Sequence, residues 1–191
     1  MPFSEPTFDR QIAGFIAAHK FRTYLDIGAG AGKYGKIIRE LKQKKAYITA
    51  VEPDPAYIKK YHLKSIYDKI IKQKIEDYIC QDPDFVAEVA IIGDCLEHLK
   101  KSDGVDLIHY LIYRTKAIII VFPFKFIQLS WQGHPLEAHR SVWTRADFKQ
   151  FDCQYFQDGF MNLVVVTGYL ADPEARISVQ AKEELVRKLA G

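Results

Sequence analysis

Residues 24–35 decide the fold of this chain; they read Tyr24-Leu25-Asp26-Ile27-Gly28-Ala29-Gly30-Ala31-Gly32-Lys33-Tyr34-Gly35. The pattern predicts an apolar strand, then a glycine-rich loop, and then the start of a helix. In open α/β sheets, small ligands bind at such loops, at the carboxyl ends of parallel strands. The backbone N–H groups of the loop and the helix start favour an anionic group of the ligand, such as a phosphate or a carboxylate.

Predicted strands and helices alternate on both sides of this loop. Apolar residues recur at helical spacing near the N-terminus, so we expect an amphipathic helix over residues 6–19. Further segments have strand or helix patterns: strands at 22–27, 46–51, 66–72, 85–92 and 117–122, and helices at 32–44 and 99–114. The alternation predicts an α/β fold with a doubly wound, mostly parallel sheet between helices.

The last third of the chain has a different pattern. Residues 122–143 hold aromatic residues, histidines and prolines without a clear period. Long irregular loops in compact domains are usually functional, so we expect a substrate loop here. Three further elements are predicted downstream: a short helix at 144–150, a β-hairpin at 151–170 and a charged helix at 173–190. The hairpin would end the sheet with an antiparallel strand, and residues 1–191 are expected to form one domain.

The composition limits the class of protein. Of the 191 residues, 48% are hydrophobic and 27% are charged, which is ordinary for a globular domain. The net charge of +3 is too small to argue for nucleic acid or a membrane as a partner, and no apolar run is long enough to span a bilayer. Cys80, Cys95 and Cys153 have no paired spacing, which favours the reducing cytoplasm over a disulfide framework or a zinc site. We therefore expect a cytoplasmic protein without a metal site.

Acidic residues lie on both sides of the ligand loop. Dinucleotide-binding loops follow the pattern G-x-G-x-x-G, but the third position counted from Gly28 and Gly30 is Lys33. Asp26, just before the glycines, would repel a pyrophosphate but suits a ligand that carries an ammonium group. Glu52 ends the second predicted strand, where a carboxylate can accept hydrogen bonds from both hydroxyls of a ribose.

These motifs together resemble those of class I S-adenosylmethionine-dependent methyltransferases of the small-molecule type. Residues 26–32 match the first motif of that family, and residues 51–54 match the acidic end of its second strand. Residues 94–99, Asp94-Cys95-Leu96-Glu97-His98-Leu99, resemble its D-x-L-E-H-L stretch. The resemblance implies a Rossmann-like, seven-stranded sheet whose last strand runs antiparallel, as the predicted hairpin requires.

The resemblance also implies that S-adenosylmethionine is the cofactor. The backbone of the glycine loop would pack against it, with Asp26 near the methionine ammonium and Glu52 on the ribose. The backbone of Asp94 would approach the methionine part. The implied cofactor contacts are Asp26, Gly28, Ala29, Gly30, Gly32, Glu52, Pro53, Ile75, Glu76, Asp94 and Cys95.

Adenine recognition departs from the family pattern. Gln73-Lys74 stands where family members often have a Gly-Asp pair, and a lysine cannot accept a hydrogen bond from the adenine amine. The backbone at Ile75, or the side chain of Glu76 or Asp77, would have to take that part.

Two histidines are candidates for a general base, because imidazole titrates near neutral pH. His98 lies in the D-x-L-E-H-L stretch, and His139 lies in residues 133–143, which resemble the G-N-P-x-E-x-H-x-S-x-W stretch of many small methyltransferases of unassigned substrate. The alternative for each is a histidine that holds a loop by hydrogen bonds. Trp131 and Trp143 are expected to be packing residues more often than stacking platforms.

The sequence therefore predicts methyl transfer from S-adenosylmethionine to a small-molecule acceptor, at oxygen or nitrogen. Residues 94–97 lack the Pro-Pro-aromatic run of amino-methylating nucleic-acid enzymes, and Cys95 lacks the preceding proline of cytosine-C5 enzymes. A noncatalytic protein that binds S-adenosylmethionine and regulates or docks a partner is the main alternative. An NAD-dependent oxidoreductase is disfavoured by Lys33 and Asp26.

Overall fold

Seven strands form one sheet in a computed structural model that describes residues 5–42, 45–82, 85–130, 133 and 135–171. The order across the sheet is β3-β2-β1-β4-β5-β7-β6. The strands are β1 (Thr23–Ile27), β2 (Tyr47–Val51), β3 (Lys69–Ile71), β4 (Val89–Gly93), β5 (Ala117–Pro123), β6 (Cys153–Asp158) and β7 (Met161–Thr167). Neighbours among β1–β5 are parallel, and β7 is antiparallel to β5 and β6. The predicted fold class is confirmed.

The helices cover both faces of this sheet. They are α1 (Asp9–His19), α2 (Lys33–Glu40), α3 (Pro55–Lys60), α4 (Ile75–Gln81) and α5 (Lys101–Ile112). On one face, buried residues of α1, α2 and α3 pack against Tyr24 and Ile91. On the other face, buried residues of α4 and α5 pack against Leu25 and Ile27. Alternate residues of a strand point to opposite faces, which is why β1 contributes to both layers. Among the described residues, no helix has the length and apolar character needed to cross a bilayer.

Three of the elements differ from the sequence predictions or fall outside the part of the chain that the structure describes. α4 was not predicted, because a helix of two turns offers only Ile75 and Tyr78 as buried positions and therefore too short an apolar period. The helix predicted at 144–150 is a 3₁₀ turn, Arg145–Phe148, with a capping box between Thr144 and Asp147. The helix predicted at 173–190 lies outside the described residues.

Candidate active site

The glycine loop lies at the point where the strand order reverses, between β1 and β4. Its glycines, Gly28, Gly30 and Gly32, have φ values of 72°, 51° and 76°, a left-handed conformation that only glycine adopts without strain. The Gly28 N–H donates to the carbonyl of Val51 at 2.9 Å, which holds the loop against the end of β2. A Cβ on Gly28 would lie 2.6 Å from the Cys95 sulfur, so the loop also packs closely on the turn after β4.

Glu52 connects the loop to the end of the second strand. Its carboxylate accepts hydrogen bonds from the Gly30 N–H at 2.7 Å and from the Asp54 N–H at 2.9 Å. The side chain is only 4% exposed but lines the cavity described below. Burial raises the pKa of this carboxyl group, and the two backbone donors oppose that rise by stabilising the anion. Glu52 is therefore a carboxylate held in place by two backbone donors at the wall of the cavity.

The turn after β4 supplies the third wall. Asp94 has a φ of 47°, and its N–H donates to the carbonyl of Val121 at 2.9 Å. A Cβ on Gly93 would lie 1.9 Å from a ring carbon of Tyr34, so glycine is required for this close contact between β4 and α2. Burial raises the pKa of the Cys95 thiol well above its usual value, which keeps it neutral and unreactive as a nucleophile.

These three strand ends enclose a cavity of about 270 Å³. Most of the predicted site residues line it: Gly28, Ala29, Gly30, Glu52, Pro53, Ile75, Glu76, Asp94, Cys95 and His98. The volume is near the lower end of the range for small-ligand sites, about 300 to 1,000 Å³. The structure thus brings together, at one site, residues that are spread over four segments of the sequence.

Asp26 is buried and lies outside the cavity lining. Its carboxylate accepts a hydrogen bond from the Tyr67 hydroxyl at 2.5 Å. Burial raises its pKa to about 6. The contact of Asp26 with a ligand ammonium stays a prediction. Gly32 also lies outside the cavity lining, where it caps α2 and packs against Ile66.

The cavity lining also contains residues that the sequence motifs do not indicate: Lys33, Tyr34, Tyr57, Lys74, Leu99, Leu136, Glu137 and Arg140. The Tyr57 hydroxyl, from α3, donates to the Glu137 carboxylate at 2.8 Å across 80 positions of sequence. Lys33 begins α2, and its ammonium lies 2.6 Å from the Asp9 carboxylate. Contacts over such separations leave no local pattern, whereas the helix start at Lys33 already indicated a position that favours an anion.

The segment 137–143 is bound to the turn after β4. The Glu97 carbonyl accepts from the N–H groups of Arg140 and Ser141 at 2.7 and 3.1 Å. Trp143 is buried, and its indole N–H donates to the Ser141 hydroxyl at 2.8 Å, so Trp143 packs this segment as expected. Trp131 and His134 lie outside the described residues.

His98 and His139 lie side by side, with ring centroids 4.8 Å apart. His98 lines the cavity and His139 does not. The Nδ1 of His98 bonds the Ala138 carbonyl at 3.2 Å, and that of His139 bonds the Phe126 carbonyl at 2.8 Å. Burial lowers the pKa of His98 to about 4 and also lowers the pKa of His139, so both rings are neutral at pH 7. Each ring thus makes a hydrogen bond to a loop carbonyl, and the general-base role of each histidine stays a prediction.

Glu97, directly before His98, is an acid buried in the same turn. It is 3% exposed, and its Oε2 has no hydrogen-bond partner among the described residues. Burial, followed by the nearby Asp94 carboxylate, holds the pKa of Glu97 well above its usual range. The side chains of Glu97, His98 and His139 each bring one donor atom within 4.8 Å of the others.

Known proteins resemble this chain in structure and not in sequence. No protein-family model matches the sequence, and no curated protein matches it significantly. An O-methyltransferase family protein from Burkholderia thailandensis aligns with a TM-score of 0.59 and 12% identity, over 84% of this chain and 56% of that one. This chain thus spans little more than half of the length of that protein.

Two further solved structures align over most of both chains. The plantazolicin methyltransferase BpumL in complex with SAH (S-adenosylhomocysteine) gives a TM-score of 0.61 at 14% identity, over 86% of each chain. The magnesium protoporphyrin IX methyltransferase ChlM from Synechocystis PCC 6803 with bound SAM (S-adenosylmethionine) gives a TM-score of 0.58 at 13% identity, over 84% of this chain and 77% of that one. The chain has the Rossmann-like fold of S-adenosylmethionine-dependent methyltransferases.

Proposed function

We propose that this chain binds S-adenosylmethionine and transfers its methyl group to the oxygen or nitrogen of a small-molecule acceptor. The observation that carries the proposal is the placement of Glu52 in the cavity. Its carboxylate is fixed by the Gly30 and Asp54 N–H groups, and it ends the strand next to the glycine loop. A carboxylate in that position suits the two hydroxyls of a ribose.

The remaining walls fit the other parts of the cofactor. The glycine loop and Asp94 offer backbone groups to the methionine part. The start of α2 and the Lys33 side chain, which both border the cavity, favour the methionine carboxylate. Pro53 and Ile75 form an apolar section suited to adenine, with the backbone of Ile75 or the side chain of Glu76 as the polar contact.

The acceptor would occupy the section formed by His98, Leu136 and Arg140. The bound cofactor supplies a methyl group activated by its sulfonium, and the chain positions the acceptor and keeps water away. The roles of His98 and His139 as general bases stay predictions. A pKa near 4 makes His98 a weak base, because an efficient base has a pKa near the working pH.

Binding measurements test this proposal. We expect the purified chain to bind S-adenosylhomocysteine and not NAD in a calorimetric titration. Glu52→Ala should weaken S-adenosylhomocysteine binding about 10- to 100-fold, the loss expected for hydrogen bonds to a charged acceptor. Glu40→Ala, at an exposed position of α2, is the matched control and should bind normally.

Turnover separates the proposed enzyme from a protein that only binds the cofactor. Labelled S-adenosylmethionine incubated with a metabolite pool should yield a labelled product with the wild-type chain. Cofactor binding without any methyl transfer would favour the noncatalytic alternative. Full S-adenosylhomocysteine affinity in Glu52→Ala would remove the main support for the assigned cofactor site.

A further inference from the structure

Three donor side chains converge where the turn after β4 meets segment 137–143. Glu97 and His98 come from the turn, and His139 comes from the segment. One donor atom from each lies within 4.8 Å of the other two. Two imidazoles and one carboxylate form a set of ligands that recurs in metal centres with open coordination positions.

The hydrogen bonds of the two rings engage the same nitrogen, Nδ1, in each histidine. A carbonyl oxygen only accepts, so the Nδ1 of each ring carries the proton that it donates to Ala138 or Phe126. The Nε2 atoms of His98 and His139 therefore keep their lone pairs. Metal-binding histidines commonly donate the other ring N–H to a backbone carbonyl, which fixes both the tautomer and the ring orientation.

Glu97 supplies the negative charge. Its side chain is buried and its Oε2 lacks a hydrogen-bond partner among the described residues, which is a costly state for a carboxyl group. The backbone carbonyl of Glu97 holds Arg140 and Ser141, so the residue is tied to the segment that carries His139. A cation between the three side chains would satisfy the buried oxygen.

We propose that Glu97, His98 and His139 bind a divalent first-row transition-metal ion at the wall of the cavity. Imidazole nitrogens favour Zn²⁺, Co²⁺, Fe²⁺ or Mn²⁺ over Ca²⁺ and Mg²⁺, which favour sites made of oxygen ligands. His98 itself lines the cavity, so the open positions of the ion would face the acceptor.

A metal ion at this site would favour an acceptor that carries a hydroxyl group, an inference that rests on the proposed function. A hydroxyl oxygen bound to the ion would release its proton to water more readily than in solution. The oxygen would then attack the methyl carbon, and the carbon–sulfur bond would break with its electron pair on sulfur. The products would be a methyl ether, S-adenosylhomocysteine and a proton. The structure thus favours an alcohol, phenol or diol over an amine.

Titration of the chelator-treated full chain with Co²⁺ tests the site directly, through the visible absorption of the bound ion. We expect one equivalent to bind, with at least about 10-fold weaker binding in Glu97→Gln and His139→Ala. Controls are Glu40→Gln and His109→Ala, at exposed positions of α2 and α5. If Glu97→Gln fails to fold by circular dichroism, His139→Ala carries the test, because His139 is only half-buried. Wild-type absorption that is unchanged by Co²⁺, or equal affinities in all folded variants, would overturn the inference.

The outcomes distinguish this inference from the proposed function. The Co²⁺ titration needs no cofactor, and S-adenosylhomocysteine binding needs no metal. Cofactor binding without Co²⁺ binding would refute the metal site alone, and the reverse result would refute the cofactor assignment alone. Methyl transfer to a hydroxyl acceptor should stop with a chelator and return with Co²⁺ or Mn²⁺. Transfer that is indifferent to the chelator would instead support His98 or His139 as a general base.

Discussion

The Glu52 carboxylate accepts a hydrogen bond from the Gly30 N–H at 2.7 Å, which joins the loop after β1 to the end of β2 across 22 positions of sequence. The same carboxylate accepts from the Asp54 N–H at 2.9 Å. One side chain therefore sets the shape of two neighbouring backbone turns, and both turns border the cavity.

Removal of this acceptor should be visible in the backbone itself. In Glu52→Ala, the amide protons of Gly30 and Asp54 lose their acceptor, so we expect their hydrogen exchange to accelerate about 10- to 100-fold. Exchange measured by NMR contains its own control, because the Gly28 N–H bonds the Val51 carbonyl and should keep its rate. Equal acceleration at all three amides would point to general loosening of the loop instead.

Asp26 should make stability depend on pH. Its folded-state pKa of about 6 exceeds the ordinary value of 3.8, so between these values the folded chain binds more protons at this carboxyl than the unfolded chain does. The free energy of unfolding therefore falls as the pH rises through this range. Asp26→Asn lacks this dependence. As the pH rises from 4 to 7, the free energy of unfolding of this variant should increase by up to about 3 kcal/mol relative to that of the wild type.

Urea unfolding at pH 4 and pH 7 measures this difference. Glu40→Gln is the control, because it removes an exposed carboxylate and should leave the pH dependence as in the wild type. A wild-type pH slope retained in Asp26→Asn would show that the buried carboxyl is not the source.

Two glycine-to-alanine substitutions should have opposite effects on stability. A methyl group at Gly93 meets the Tyr34 ring at 1.9 Å, so Gly93→Ala should lower the free energy of unfolding by about 1–3 kcal/mol and also weaken S-adenosylhomocysteine binding. A methyl group at Gly14, within α1, has nothing within 4 Å, so Gly14→Ala should raise the free energy of unfolding by about 0.5–1 kcal/mol. Thermal or urea unfolding checks both signs, and a neutral Gly93→Ala would contradict the observed packing.

Tyr57→Phe should loosen the segment that covers the cavity. The substitution deletes the 2.8 Å hydrogen bond to Glu137 and keeps the ring. Such a bond contributes about 1.5–3 kcal/mol when the acceptor is charged, so amide exchange over residues 135–141 should accelerate at least about 10-fold. Tyr113→Phe, at the exposed C-cap of α5, is the matched control. Unchanged exchange in Tyr57→Phe would show that other bonds hold the segment.

The elements with strong local signals could be predicted from the sequence. The strand, glycine loop and helix at residues 23–40 follow from glycine conformations and an apolar period, and both are encoded locally. The antiparallel β7 follows from the Asp158-Gly159 turn. Much of the cavity lining follows as well, because the carboxyl ends of parallel strands meet at one edge.

The other parts of the candidate site depend on contacts between residues that are far apart in the sequence. The strand pattern does not reveal that Asp26 accepts a hydrogen bond from the Tyr67 hydroxyl, 41 positions away. The Tyr57–Glu137 bond and the meeting of Glu97 with His139 require the packed sheet to bring separate loops together. The burial of the Asp26 and Glu97 carboxyl groups is likewise a product of the packed fold, which no local pattern records.

The attachment of segment 137–143 divides the loop after β5 into two parts that are free to evolve at different rates. Hydrogen bonds to Glu97 hold the later part, whereas Ile127 and Leu129, in the earlier part, are 87% and 78% exposed. The backbone carbonyls of Phe126 and Gln128 accept hydrogen bonds from the ring and the N–H of His139, so this part of the loop also positions that histidine. Substitutions confined to the exposed side chains of Ile127 and Leu129 would therefore change the outer surface of the loop and leave the histidine pair in place.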